Sequence, residues 1–147
     1  MTATASRPAI VRCLACATRN RVDLARLEQG PRCGGCRRPL HLDRPLSVTE
    51  ADLEETIRTA GVPVLVDFYA DWCGPCRATA PALEALAGAH GGELLVLKLD
   101  TDRHPGAAAR YGVRGIPTLI VFRDGREVRR HVGAAGTHEL EALAGVA

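Results

Sequence analysis

The sequence predicts an α/β domain whose sheet is part parallel and part antiparallel, preceded by a short cysteine-rich segment. Three observations carry this expectation. After residue 47, buried-strand patterns alternate with helical ones, which implies parallel strands linked by helices. Two later strands flank Asp124 and Gly125, a dipeptide suited to a tight hairpin. Four of the six cysteines lie before residue 47 as two C-x2-C pairs, and the other two form a third such pair at 73 and 76.

Residues 1–46 hold nine arginines against three acids, and residues 47–147 hold ten basic residues against 14 acids. The net charge of +2 therefore conceals a basic segment and an acidic one. Their boundary is placed at 44–47, where Pro45 interrupts any regular element. The first unit is only slightly longer than the roughly 40 residues below which a chain needs a metal, disulfides or a partner to fold. Its Cys13, Cys16, Cys33 and Cys36 supply a metal cage. Each pair chelates from a tight turn, with Gly34 and Gly35 allowing close backbone approach. Four thiolates arranged as a tetrahedron suit one structural Zn2+. Ligand chemistry alone leaves iron open, and His41 is an alternative ligand. Four thiolates and a divalent ion together contribute about −2, and no aromatic residue precedes Phe68 to stack on bases. The arginines therefore read as solvated surface, not as a nucleic-acid face.

In the second unit, Thr49 caps a helix over 51–60, with Leu53 and Ile57 on one face and Gly61 as its stop. Residues 62–70 form a buried strand interrupted only by Asp67. A helix begins around Cys73, Gly74 and Pro75, with Pro81 inside it as a kink. A second buried strand covers 94–99 and a short helix 104–111. The hairpin strands span 117–122 and 127–132, and a last helix 137–143. His90, His104, His131 and His138 read as solvated. No apolar run approaches the roughly 20 residues of a membrane span. Residues 1–12 lack the pattern of a secretion signal, so a cytoplasmic protein with reduced thiols is expected.

The pair at 73 and 76 carries the chemistry. Cys73 falls at a helix N-terminus, where free N–H groups and the dipole favour a thiolate. Cys76 lies one turn further, within reach of a mixed disulfide on Cys73, and Pro75 stiffens the turn between them. Thiol–disulfide exchange is the implied reaction. A lone pair lacks the two further ligands that a metal site would need. Six residues before Cys73, the buried carboxyl of Asp67 should have a raised pKa and move protons near neutral pH.

The stretch 66–77, Val-Asp-Phe-Tyr-Ala-Asp-Trp-Cys-Gly-Pro-Cys-Arg, closely resembles the active site of thioredoxins. The resemblance continues through Pro81, Lys98, the run 111–118, and Asp124 to Gly133, and so covers 47–147. With the N-terminal cysteine pairs, the chain resembles the zinc-containing thioredoxin 2 type. That resemblance implies a thioredoxin fold, a mixed central sheet flanked by helices, behind a small zinc-ribbon-like domain. It implies a monomeric protein-disulfide reductase, recharged by an NADPH-dependent thioredoxin reductase and acting on disulfide-containing proteins. Cys73 would be the nucleophile and Cys76 the resolving thiol, the two ending as a disulfide. Pro117 would be the cis-proline that lets the Ile116 backbone pair with substrate. Trp72, Gly74, Pro75, Gly115, Ile116 and Gly133 would form the apolar docking surface. Asp67 would help deprotonate Cys76, with Lys98 beside it. Of the 19 basic residues, Lys98 is the single lysine, which singles it out independently. Tyr69 stands where many of the family have tryptophan, and Asp71 adds a charge near Cys73. The alternative is a zinc-based redox sensor or chaperone-like module in which oxidation of the four-cysteine site releases the metal.

Overall fold

The structure, a computed structural model, describes residues 5–146. Ala147 and the first four residues, part of the stretch searched for a secretion signal, lie outside that range. Strands β1 (Pro8–Arg12) and β2 (Arg19–Asp23) pair antiparallel across the first cysteine turn. A 3-10 helix over Leu24–Gln29 leads to the second cysteine turn. The two turns are built alike. Cys13 N–H donates to Thr18 O and Ala17 N–H to Cys13 O, while Cys33 N–H donates to Arg38 O and Arg37 N–H to Cys33 O. Ala17 (φ 65°) and Arg37 (φ 68°) take the left-handed position in each. The paired C-x2-C units are thus a structural repeat.

A five-stranded sheet follows, in the order β3 (Leu46–Ser47), β5 (Leu95–Asp100), β4 (Val64–Tyr69), β6 (Thr118–Arg123), β7 (Arg126–Val132). The first three strands run parallel and the last two antiparallel. Helices α1 (Glu50–Thr59), α2 (Gly74–Ala89), α3 (Pro105–Arg110) and α4 (Thr137–Ala144) complete the domain. Strand periodicity sorts the core into two layers. Val64, Val66 and Phe68 of β4 join Leu95, Leu97 and Leu99 of β5 against α1 and α3. Leu65 and Val96 face the other way, among Leu83, Leu86 and Leu140 of α2 and α4. On the first face, Tyr111 packs edge-on to Phe122 and tilted against Phe68, with ring centroids 5.6 and 5.7 Å away.

Local chemistry explains the element ends. Thr49 and Asp52 form a reciprocal capping box at the start of α1. Asp124 (φ 51°) and Gly125 (φ 79°) both adopt the left-handed conformation that the tight β6–β7 hairpin needs. Arg130 bonds the Tyr111 and Gly112 carbonyls at the end of α3, and Arg129 bonds those of Ala142 and Leu143 at the end of α4. These are the orphan acceptors that every helix C-terminus leaves. Helix α2 continues through Pro81, where the Arg77 carbonyl loses its N–H partner.

Two expectations are corrected. Gly61 is not the C-cap of α1, because the helix ends at Ala60 in an extended conformation. Glycine is needed at 61 because β1 crosses there. Gly61 N–H donates to Pro8 O, and a Cβ would lie 2.8 Å from Pro8 Cδ. His90 is not solvated but 7% exposed, with Nδ1 3.3 Å from Glu93 and Nε2 3.1 Å from Glu141.

The N-terminal segment packs on α1. Thr56 Oγ1 donates to Ile10 O (2.6 Å), and Ile10 N–H donates to Thr59 Oγ1 (3.0 Å), so two helix hydroxyls complete the edge of β1. Arg12 pairs with Asp52 and Arg19 with Glu55. Ala9, Val11, Val22, Leu24 and Leu42 merge into the same buried cluster as Leu53 and Ile57. The opposed charges of the two segments meet here, so part of the arginine surface is an internal contact.

A neutral imidazole has one donor, so His90 satisfies both carboxylates only when protonated. Its pKa is raised, chiefly by the Glu141 hydrogen bond. A raised folded pKa means stabilisation present below the unfolded value of about 6.5 and lost as pH climbs through the folded value. Glu141→Gln should accordingly lower the melting temperature more at about pH 6 than at about pH 9, as read by calorimetry. An equal deficit at both would show that the contact does not depend on the charge.

Candidate active site and metal centre

Strand β4 delivers the chain to the N-terminus of α2 with Cys73 as N-cap, its sulfur accepting the Cys76 N–H at 3.2 Å. Cys73 and Cys76 are joined as a disulfide, with Cα atoms 5.2 Å apart. Both residues are buried, at 3% and 4% exposure, so the sulfurs are recessed behind a more accessible rim. Trp72 (68% exposed), Gly74 and Pro75 form one side of that rim. Opposite them the Ile116–Pro117 peptide is cis, and the Ile116 carbonyl oxygen lies 3.7 Å from Cys73 Sγ. Gly133 N–H donates to Pro117 O, and its φ of 103° is the reason for glycine there. At Gly115 a Cβ would make only ordinary contact with Val132, so no close approach explains that glycine.

Asp67 shares its side of β4 with Leu65, and so points towards the α2 face. It is 5% exposed, and its Oδ1 has no hydrogen-bond partner among the described residues. Burial pushes its pKa up to about 7, against the opposing pull of Lys98. Lys98 is its register partner on β5, and Lys98 Nζ sits 5.8 Å from the centre of the Tyr69 ring. A cavity of about 190 Å³ is lined by Asp67, Lys98, Tyr69 and Cys76 together, which places the carboxyl and the inner cysteine on one polar space. It has room for a few water molecules, each occupying about 30 Å³ in the liquid.

Sequence reasoning missed Asp102. Trp72 Nε1 donates to Asp102 Oδ2 at 2.8 Å, and the Asp102 N–H donates to Asp100 Oδ1 at 2.9 Å. The available signal was the Asp-Thr-Asp triplet at the end of β5, but nothing in the spacing shows that it faces residue 72. Arg77 Nη1 bonds the Asp71 carbonyl and pins the loop from the other side.

At the other centre the four sulfurs of Cys13, Cys16, Cys33 and Cys36 lie within 4.8 Å of one another. Two cross-turn separations are 3.7 Å (Cys13 to Cys36) and 3.5 Å (Cys16 to Cys33). A tetrahedron with Zn–S bonds of about 2.3 Å has edges of about 3.8 Å, so the sulfurs fit that ion. His41 is not part of the cluster. A Cβ on Gly35 would collide with the Thr18 side chain and sit 3.5 Å from Cys16 Sγ, so glycine there is required by the closeness of the two turns. Asn20 Oδ1 accepts the Gly34 N–H and ties the second turn to β2.

The thioredoxin family model matches residues 44–145. The chain belongs to the thioredoxin family. A second family model, described as Thioredoxin 2, N-terminal, matches residues 12–38 and with them all four clustered cysteines. The thioredoxin of Pseudomonas aeruginosa is 44% identical over 98 residues, covering 67% of this chain and 91% of that protein. The thioredoxin of Rhodospirillum rubrum is 49% identical over 87 residues, covering 59% of this chain and 84% of that protein. Among solved structures, a mutant thioredoxin from Halobacterium salinarum matches with a TM-score of 0.63 and 38% identity, covering 71% of this chain and 95% of that one.

Thioredoxins are protein-disulfide oxidoreductases, and this chain performs dithiol–disulfide exchange, for which the Cys73–Cys76 pair is in place. Thioredoxin reductase and disulfide-bearing proteins are the family's partners in general. No helix among the described residues is long and apolar enough to cross a membrane. The four-cysteine site holds one structural zinc, and these relationships favour the exchange reading over the redox-sensor alternative. Bound there, zinc cross-links two turns that share little apolar burial. Thiol titration of the zinc-loaded protein should therefore fall by two groups on oxidation, with one zinc retained per chain by metal analysis. Cys33→Ser should lose the metal and loosen β1 and β2, read as amide exchange rising there first. Full zinc content in that variant would refute the ligand set.

Proposed function

We propose that Cys73 is the nucleophile and Cys76 the resolving thiol of a protein-disulfide reductase, with Asp67 as proton acceptor. The Cys73 thiolate attacks a substrate disulfide, forming a mixed disulfide and releasing one substrate thiolate. Cys76 passes its proton to Asp67 across the shared cavity and attacks Cys73 Sγ, which releases the second substrate thiolate. Two electrons have then left the protein, and the Cys73–Cys76 disulfide remains for thioredoxin reductase to reduce with NADPH. The observation that carries this reading is the carboxyl and the inner cysteine lining one cavity, with the pKa of Asp67 near neutrality. A base is most effective when its pKa lies near the working pH.

Lys98 holds the Asp67 pKa from rising further, and its place over the Tyr69 ring fixes the ammonium. An extended substrate segment docks on Trp72, Gly74, Pro75, Ile116, Pro117 and Gly133, pairing with the Ile116 backbone. The chain divides functionally into a zinc-binding unit, 1–46, and a catalytic unit, 47–147, and acts as a monomer in the cytoplasm, where reductase and NADPH are available.

Insulin reduction coupled to NADPH consumption tests the assignment. Cys73→Ser should abolish turnover, whereas Cys76→Ser should accumulate a mixed disulfide. Retained turnover in Cys73→Ser would remove the nucleophile. Asp67→Asn should slow the resolving step by roughly 10²-fold near pH 7. The deficit should shrink above about pH 8.5, where an ordinary thiol ionises unaided. A deficit constant across pH would mean that Asp67 does not act as the base. Because burial raises the Asp67 pKa above its unfolded value of 3.8 to about 7, the wild-type fold loses stability as pH climbs between those values. Asp67→Asn should remove that loss in chemical denaturation.

A further inference from the structure

We propose that the groove between the first cysteine turn and the segment leading to β3 binds an acidic, leucine-bearing stretch of the disulfide proteins on which this chain acts. The proposal rests on the exchange reaction above and adds a feature of its substrates. The groove encloses about 420 Å³. Leu40, Leu42 and Leu46 are among its apolar lining residues, and Leu14, Arg38 and Arg44 stand on its exposed side. Leu14 is 58% exposed and so presents its side chain at the mouth of the groove.

Charge selects the occupant. No carboxylate lines the groove. Asp43 faces a different cleft, which it shares with Glu28 and Glu93. Among the described residues Arg38 and Arg44 form no ion pair, in contrast to Arg12 and Arg19 on α1. The wall cysteine, Cys13, is 3% exposed, so the charges presented on the solvent side of the groove are those of Arg38 and Arg44. An apolar lining with two unpartnered guanidinium groups fits leucine side chains flanked by carboxylates. A nucleic acid offers no aliphatic side chain for that lining, and His41 is the single ring on the groove wall that could stack a base. Helix α1 of a second copy is a poor match, because its Asp52, Glu54 and Glu55 already pair with Arg12, Arg110 and Arg19.

Position links the groove to the redox site. Leu14 also lines a cavity with Tyr69, Lys98, Asp100 and Arg103. Asp100 holds the Asp102 amide, and Asp102 holds the Trp72 indole. Surface therefore continues from the Trp72 rim to Leu14, and a polypeptide bound at Cys73 reaches the groove along it.

The test uses the zinc-loaded full chain and two peptide tails, one of alternating leucine and aspartate and one of alternating leucine and lysine. Fluorescence anisotropy of each labelled tail, without a disulfide, reads the groove independently of turnover. The acidic tail should bind about threefold to tenfold more tightly, as two exposed charge contacts imply. That preference should vanish in about 1 M salt, where the screening length is about 3 Å. The Arg38→Glu, Arg44→Glu double variant should reverse it. Appended to a cyclic disulfide peptide, the acidic tail should lower KM by the same factor with kcat unaltered. Equal binding of the two tails, displacement of the acidic tail by a single-stranded oligonucleotide, or self-association that closes the groove would each overturn the proposal. Selective tail binding with neither cyclic peptide reduced would uphold the groove and overturn the exchange reading instead.

Discussion

The catalytic half depends on strand β4 being buried on both faces while carrying one carboxylate. Because side chains alternate, Val64, Val66 and Phe68 must point to the α1 and α3 layer, and Leu65 and Asp67 to the α2 layer. The same strand ends where α2 begins, so Cys73 becomes the helix N-cap and Cys76 turns inward over Asp67. A slip of one residue in the register against β5 would exchange the faces, placing Asp67 in the apolar layer and separating it from Lys98. That alternative gives up both the Lys98 attraction and the polar cavity that the carboxyl now lines. The placement of one carboxyl therefore constrains the register of the strand and sets which cavity it lines.

The N-terminal unit solves a different problem. Its two strands expose an edge, and its own buried apolar contribution is a handful of residues, Ala9, Val11, Val22, Leu24 and Leu42. Zinc closes the two turns, but the edge of β1 still needs partners. Helix α1 supplies them through Thr56 and Thr59, residues whose hydroxyls replace a neighbouring strand's amide and carbonyl. Each such bond contributes about 1 kcal/mol net, and an unmade one in a buried contact costs more. The Arg19 pair adds orientation more than stability, since an exposed ion pair contributes only about 0–1 kcal/mol, and the Arg12–Asp52 pair is part-buried. The two units are thus docked by directional contacts around a shared apolar seam. That arrangement keeps Leu14 beside the cavity that reaches Lys98 and Tyr69.

What could be read from sequence was whatever is encoded within a few residues. Thr49 as a cap, Asp124 with Gly125, Cys73 with Pro75 and the two C-x2-C turns each specify their geometry locally, and all were legible; the Asp52 half of the capping box was not read. Asp67 was legible because a charge inside an apolar run is anomalous by itself. The contacts that stayed hidden join segments far apart in the chain. Gly61 looked like a helix stop because its real constraint, the passage of Pro8, lies 53 positions away. His90 looked solvated because Glu141 arrives from α4. Asp102 carried no mark of its bond to Trp72. Strand β3 is two residues long and has no periodicity to detect.

The arginine bias shows how the same charge serves unlike tasks. Arg130 spans the Tyr111 and Gly112 carbonyls while bonding Glu127, and Arg129 spans two carbonyls of α4. Those tasks need a planar fork with several fixed donors. Beside Asp67 a fork would be harmful. A guanidinium, always charged and carrying a fork of donors suited to two-point contact with a carboxylate, favours the ionised form more strongly than an ammonium does. An ammonium held above the Tyr69 ring at 5.8 Å exerts only a Coulombic pull, and Oδ1 keeps a lone pair free to accept a proton. The single lysine stands beside a buried carboxyl, opposing the rise in its pKa by Coulombic attraction alone.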